Sequence, residues 1–128
     1  MAKKQIATFL GNQKGFTVLG DRHFATSGSI AFGAASETTM IEAITGRYYT
    51  KSFIQYGMPS ATSGDVTTRV YLNGVNVMGH ETNDSATLDR RDALKLIIPP
   101  NTTLKITIQL STGSSTAFCI VTGRIYNA

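Results

Sequence analysis

Asn73-Gly74, set between Val66-Thr67-Thr68-Arg69-Val70-Tyr71-Leu72 and Val75-Asn76-Val77-Met78-Gly79, restricts the fold of this chain more than any other feature. Asn and Gly both tolerate the positive φ that a type I′ turn needs at its two central positions, and that turn matches the twist of antiparallel strands. The spacing predicts a β-hairpin. Placing Leu72 opposite Val75 sets Val70 against Val77, with all four on one side of the ribbon, the side expected to enter the core. Arg69, Tyr71, Asn76 and Met78 then fall on the other side, which suits solvent or a partner.

The remainder of the second half reads the same way. Ala93-Leu94-Lys95-Leu96-Ile97-Ile98 runs into Pro99-Pro100, which cannot donate to a sheet ladder, and Asn101-Thr102 completes a turn. Leu104, Ile106, Ile108 and Leu110 then alternate with Lys105, Thr107 and Gln109, a period of two that predicts one buried and one wet face. After Ser111-Thr112-Gly113-Ser114-Ser115, the stretch Thr116 to Tyr126 is expected as a last strand, apolar on both faces and central in a sheet. In the first half, Gln5 to Leu10, Phe16 to Leu19 and Arg47 to Tyr56 are expected strands. Met40, Ile41 and Ile44 have a helix-like spacing, but the threonines around them and Thr45-Gly46 favour a strand there as well.

Seven or eight short strands joined by Gly, Asn and Pro turns predict an all-β chain, a single antiparallel β-sandwich or jelly-roll domain over residues 1–128, with 1–10 as an extended N-terminal arm. The length of 128 residues fits one core. With 18 Thr and 10 Ser against only 16% charged residues, hydroxyls replace charge, as strand surfaces permit. No apolar run approaches the ~20 residues of a membrane-spanning helix. The apolar stretch after Lys3-Lys4 is cut short by Gly11-Asn12-Gln13-Lys14, so no export signal is read.

The residues required for catalysis are scarce. His80-Glu81 opens like the zinc-protease pattern but lacks the second His one helical turn on, and a loop histidine near Glu81 and Asp84 is more often solvated than metal-bound. Gly11 to Gly15 lacks the Gly-Lys-Ser/Thr ending of a phosphate loop and reads as a turn. Cys119, the single cysteine, sits among Phe118, Ile120 and Val121, where a thiol packs as a small hydrophobe; it excludes an intrachain disulfide and leaves an intermolecular one open. Glu37, Glu42, Glu81 and Asp89 cannot be paired from sequence into a glycosidase couple. A non-enzyme without cofactor or metal is expected.

Binding remains. Tyr48, Tyr56 and Tyr71 are candidate stacking platforms for a glycan, weighed against packing of the same rings in core and edges. A net charge of +4 suits an acidic partner, and Lys3, Lys4 and Gln5 form a basic start able to reach one. No specific nucleic-acid partner is expected, since the stripe of Lys and Arg interleaved with aromatics that such binding needs is missing and Arg90-Arg91 is offset by Asp89 and Asp92.

The segments Gly64 to Gly74, Ile97-Ile98-Pro99-Pro100-Asn101-Thr102-Thr103-Leu104 and Thr122-Gly123-Arg124-Ile125-Tyr126 together resemble the small β-sandwich structural proteins of tailed-bacteriophage virions, such as capsid decoration (cement) proteins. The likeness covers about half the chain. It implies a virion location on the capsid surface, and a protein that binds the major capsid protein and copies of itself as a homo-oligomer, with no membrane partner. On that reading the contact residues are Lys3, Lys4 and Gln5 and the hairpin face carrying Arg69, Tyr71 and Asn76. A tail or neck adaptor and a glycan-binding module are the alternatives.

Overall fold

The computed structural model describes residues 15–34, 36–57, 65–82 and 94–126, with 80–82 as backbone alone. Among these residues the fold is all-β, two antiparallel sheets packed as a sandwich. Ten strands form: β1 (Thr17–Leu19), β2 (Arg22–Thr26), β3 (Ile30–Gly33), β4 (Thr38–Ile44), β5 (Tyr49–Gly57), β6 (Val66–Leu72), β7 (Val75–Thr82), β8 (Leu94–Ile98), β9 (Thr103–Leu110) and β10 (Ser114–Tyr126). The count exceeds the seven or eight expected because β2 and β3 form on either side of Ser27-Gly28-Ser29, a stretch where the sequence reading places no strand. The expected strand Gln5–Leu10, the arm 1–10, the turn residues 11–14 and the Asp89–Asp92 cluster lie outside the described residues.

One sheet has the order β1-β2-β10-β5-β8, with β3 also paired to β10; the other has the order β4-β9-β6-β7. β10 is central, as expected, with β5 along one side and β3 and then β2 along the other. At the break between β2 and β3, Ser27 keeps the ladder whole. Its N–H donates to the Cys119 carbonyl (2.9 Å), and its hydroxyl accepts from the Cys119 N–H (2.9 Å). Only one face of β10 is buried, through Ala117, Cys119 and Val121. The opposite face leaves Phe118 and Tyr126 exposed, so the expectation of an apolar strand covered on both sides is corrected.

The alternation in β9 holds. Leu104, Ile106, Ile108 and Leu110 are buried against Met40, Ile41, Val66, Val70, Ile54, Ile98 and Val121. Each such side chain contributes roughly 1.5–3 kcal/mol by leaving water. Asn73 and Gly74 have φ of 52° and 81°, as the hairpin turn requires.

The hairpin register differs from expectation. Leu72 pairs with Val75 and Tyr71 with Asn76, but Val70 pairs with Met78, leaving Val77 as an extra residue in a β-bulge. Past the bulge the faces exchange: Met78 packs against the core and Val77 is exposed, the reverse of the assignment that simple alternation makes, while Val75 keeps its place opposite Leu72 but is exposed at the end of the hairpin. A second bulge explains the helix-like spacing in β4. Thr39 pairs with Thr107 and Ile41 with Ile106, so the extra residue Met40 is buried beside Ile41, and Ile44 points outward.

Gly123 marks the tightest approach in the larger sheet. A Cβ there would collide with the Lys51 carbonyl oxygen and lie 2.6 Å from His23 Nε2 and 2.9 Å from Ser52 Cα. Two of the three obstacles are backbone, so Gly123→Ala should destabilise by about 3 kcal/mol in chemical denaturation, at the upper end for overpacking. Gly57→Ala, whose Cβ meets only the ring of exposed Phe118, should cost less. Equal and small losses for the two variants would contradict the packing described.

Candidate functional site

The expected contact residues Arg69 and Tyr71 lie two apart on β6 and project from the outer face of the four-stranded sheet, with Asn76 opposite Tyr71. Thr107 of β9 lies opposite Arg69, and Lys105 opposite Tyr71. Arg69, Tyr71 and Thr107 converge on Glu37, the residue just before β4. Its Oε1 accepts from the Tyr71 hydroxyl (2.7 Å), the Thr107 hydroxyl (2.8 Å) and the Arg69 guanidinium (3.1 Å), and its Oε2 accepts again from Tyr71 (3.0 Å). Arg69 also donates to Gln109 Oε1 (3.5 Å), whose amide reaches the Ala34 carbonyl (3.4 Å). The link between β3 and β4 is thereby tied down on this face, and Thr107 is buried beneath it.

The hydrogen bonds from Tyr71 and Thr107, more than the charge of Arg69, hold the Glu37 carboxyl below its ordinary range. The same bond pushes the Tyr71 phenol up, because the carboxylate accepts its proton. Arg69 and Glu37 are each about one-third exposed (32% and 35% of the side chain), so solvent screening limits such a pair to under about 1 kcal/mol of stability. Its larger effect is geometric: it fixes the rotamers of Arg69 and Tyr71, lowering the entropy lost when a partner docks.

Asn76 is exposed on the same side, but its Oδ1 accepts from the Met78 N–H (3.3 Å) and so serves the bulge. Lys3, Lys4 and Gln5 lie outside the described residues. Sequence reasoning missed Glu37 and Thr107, which stand 34 and 36 positions from Tyr71 and meet it only through sheet register. Of the proposed glycan platforms, Tyr56 is buried in the core and Tyr71 is bonded to Glu37, while Tyr48 has the Arg47 guanidinium 5.4 Å from its ring centre. Burial therefore removes Tyr56 as a platform.

A second cluster lies inside the sandwich. His23 Nε2 is 3.0 Å from Ser52 Oγ, which is 3.4 Å from Thr50 Oγ1, and the Phe16 ring packs on the imidazole at 4.3 Å. The distance suits a base and a nucleophile, but Ser52 has no exposed surface and the geometry is that of a satisfied buried polar pair. A groove of about 430 Å³ bordered by Phe16, Val18, Arg47 and Tyr48 reaches the His23 end of this cluster. Burial pushes the Cys119 thiol up, which removes it as a nucleophile and as a link between copies. Among the described residues no cluster of three metal-ligating side chains exists, and no helix is long and apolar enough to cross a membrane. The side chains of His80, Glu81 and Asp84 lie outside the described residues.

Desolvation pushes His23 down to about 4 from its ordinary 6.5. Between those values the unfolded chain binds the proton and the folded chain does not, so stability rises with pH across this window and is lost as pH falls from 6.5 towards 4. The full loss amounts to about 3 kcal/mol. Denaturant titrations at pH 7 and pH 4 should show this decline in the wild type and a shallower one in His23→Gln. A slope unchanged by the substitution would contradict the assignment.

No protein-family model and no curated protein matches the chain. Among solved structures, a chain of Bacillus endospore appendages, which form a family of disulfide-linked pili, aligns at 13% identity with a TM-score of 0.50, covering 97% of this chain and 100% of its own. A chain of infectious bursal disease virus, Gx strain, aligns at 14% identity with a TM-score of 0.45, covering 83% of this chain and 34% of its own. The first establishes a shared fold over nearly the whole of both chains.

Proposed function

We propose that this chain is a non-enzymatic structural subunit of a virion, and specifically a capsid decoration protein of a tailed phage that binds the major capsid protein and its own copies. The observation that carries the reading is the platform on the four-stranded sheet, where Glu37 locks Arg69 and Tyr71 into one outward arrangement. Arg and Tyr are the side chains that most often dominate protein interfaces, and here their order is established before a partner arrives. β7, the edge strand of this sheet among the described residues, lies beside the platform and offers further backbone groups to a neighbour. The fold shared with an endospore pilus chain supports a many-copy assembly role, with one difference: the buried Cys119 requires that copies of this fold associate without a disulfide through that residue.

The reading is tested by adding purified chain to capsids of the parent phage that lack it. Wild type should bind and raise the temperature at which the particles rupture. Arg69→Ala combined with Tyr71→Ala should weaken binding at least tenfold while the free domain still melts cooperatively, with its melting temperature lowered by no more than about 8 °C, since both side chains are outside the core. Glu37→Ala should weaken it in the same direction. Unchanged affinity in the double variant would remove this face from the interface, and failure of wild type to bind or protect would remove the decoration role.

A further inference from the structure

The outer face of the six-stranded sheet assembles what the linear sequence lacks. Arg22 of β2 pairs with Arg124 of β10, which pairs with Lys51 of β5, so three cations stand in one row across adjacent strands. At the usual strand separation the row is about 10 Å long. Like charges directly opposite one another destabilise a sheet, and folding gains nothing from this arrangement. Asp21 offsets it in part, at 3.0 Å from Arg124 and 3.7 Å from Arg22; Lys51, and Lys95 on the neighbouring strand β8, make no ion pair among the described residues.

Aromatic side chains border the cations on both sides. Two residues along the strands, about 7 Å away, runs the row Phe24, Thr122, Phe53 and Lys95; in the other direction Tyr126 pairs with Tyr49, and both are about half exposed. The Arg124 guanidinium lies 5.5 Å from the centre of the Tyr126 ring. Thr122 and Gly123 leave a groove of about 450 Å³ between these walls, lined also by Arg22, Lys51, Phe53 and Tyr126.

We infer that this face binds single-stranded nucleic acid, with Arg22, Arg124 and Lys51 on successive phosphates and Phe53, Tyr126 and Tyr49 against bases. A row of cations alone suits any polyanion. Rings flanking that row on an open sheet add the sequence-tolerant stacking by which sheet surfaces hold unpaired bases. A duplex buries its bases and cannot use the rings. The inference is independent of the decoration role, which uses the opposite sheet.

The test is fluorescence anisotropy of the full chain with a labelled 20-nucleotide oligothymidylate. The comparison ligands are an abasic oligomer of the same length, a duplex, a sulfated polysaccharide and vesicles containing anionic phospholipid. The oligothymidylate should bind at least fivefold more tightly than the abasic oligomer, with log K falling against log salt at a slope of about −2, as three phosphate contacts to a single strand require. Arg22→Glu with Lys51→Glu should reduce affinity at least tenfold and flatten the slope. Tyr126→Ala should reduce affinity and leave the slope unchanged. All three substituted side chains are exposed, and an unchanged melting temperature confirms that the fold persists. Absence of oligothymidylate binding, equal affinity for the abasic oligomer or the polysaccharide, preference for the vesicles, or indifference to the substitutions would each overturn the inference.

Discussion

The pairing of β10 along both of its sides is the constraint on which the molecule depends. Of its thirteen residues, Phe118 to Tyr126 pair with β5 on one side, so the middle of the strand lies inside the sheet, where each backbone group that fails to find a partner is costly. The other side needs two short strands, β3 along Ser114 to Ala117 and β2 along Ile120 to Arg124, with Ser27 bonding to Cys119 in the gap between them. Once that ladder is complete, Ala117, Cys119 and Val121 present one face to the second sheet, and the core closes over them. The same pairing requires Gly123, because the backbones and the buried imidazole of His23 crowd that position.

The two outer faces follow from this arrangement and differ in kind. On the smaller sheet, charge is internally resolved: a carboxylate accepts every donor that Arg69, Tyr71 and Thr107 turn towards it. On the larger sheet, charge is only partly resolved: three cations face one another across the strands, and the one aspartate beside them pairs with Arg22 and Arg124 alone. A resolved cluster fixes shape, while an unresolved one attracts counter-charge. That contrast is why the first is read as a protein-docking platform and the second as a surface for a polyanion.

Much of the fold was legible because alternation and turn chemistry act locally. The period of two in Leu104 to Leu110 and the Asn73-Gly74 turn both reappear in the structure, since nothing distant opposes them. The bulges at Val77 and Met40 were not legible, because one extra residue reverses the phase of all that follows and leaves composition untouched. Asn76 offered a signal: a side-chain acceptor two residues before Met78 can hold the N–H of a bulged strand. The platform was half legible. Arg69 and Tyr71 follow from the hairpin alone, whereas Glu37 and Thr107 require the pairing of strands far apart in the chain. The cation row was not legible for the same reason, as three strands supply one residue each.

The central claim, that this sandwich is a repeated subunit of a shell, is tested most directly by quantitative mass spectrometry of density-purified particles, reading the ratio of this chain to the major shell protein. The account predicts on the order of hundreds of copies per particle, a stoichiometry set by capsid symmetry. A handful of copies would contradict decoration and place the chain in a tail or neck, and its absence from the particles would contradict the structural reading altogether.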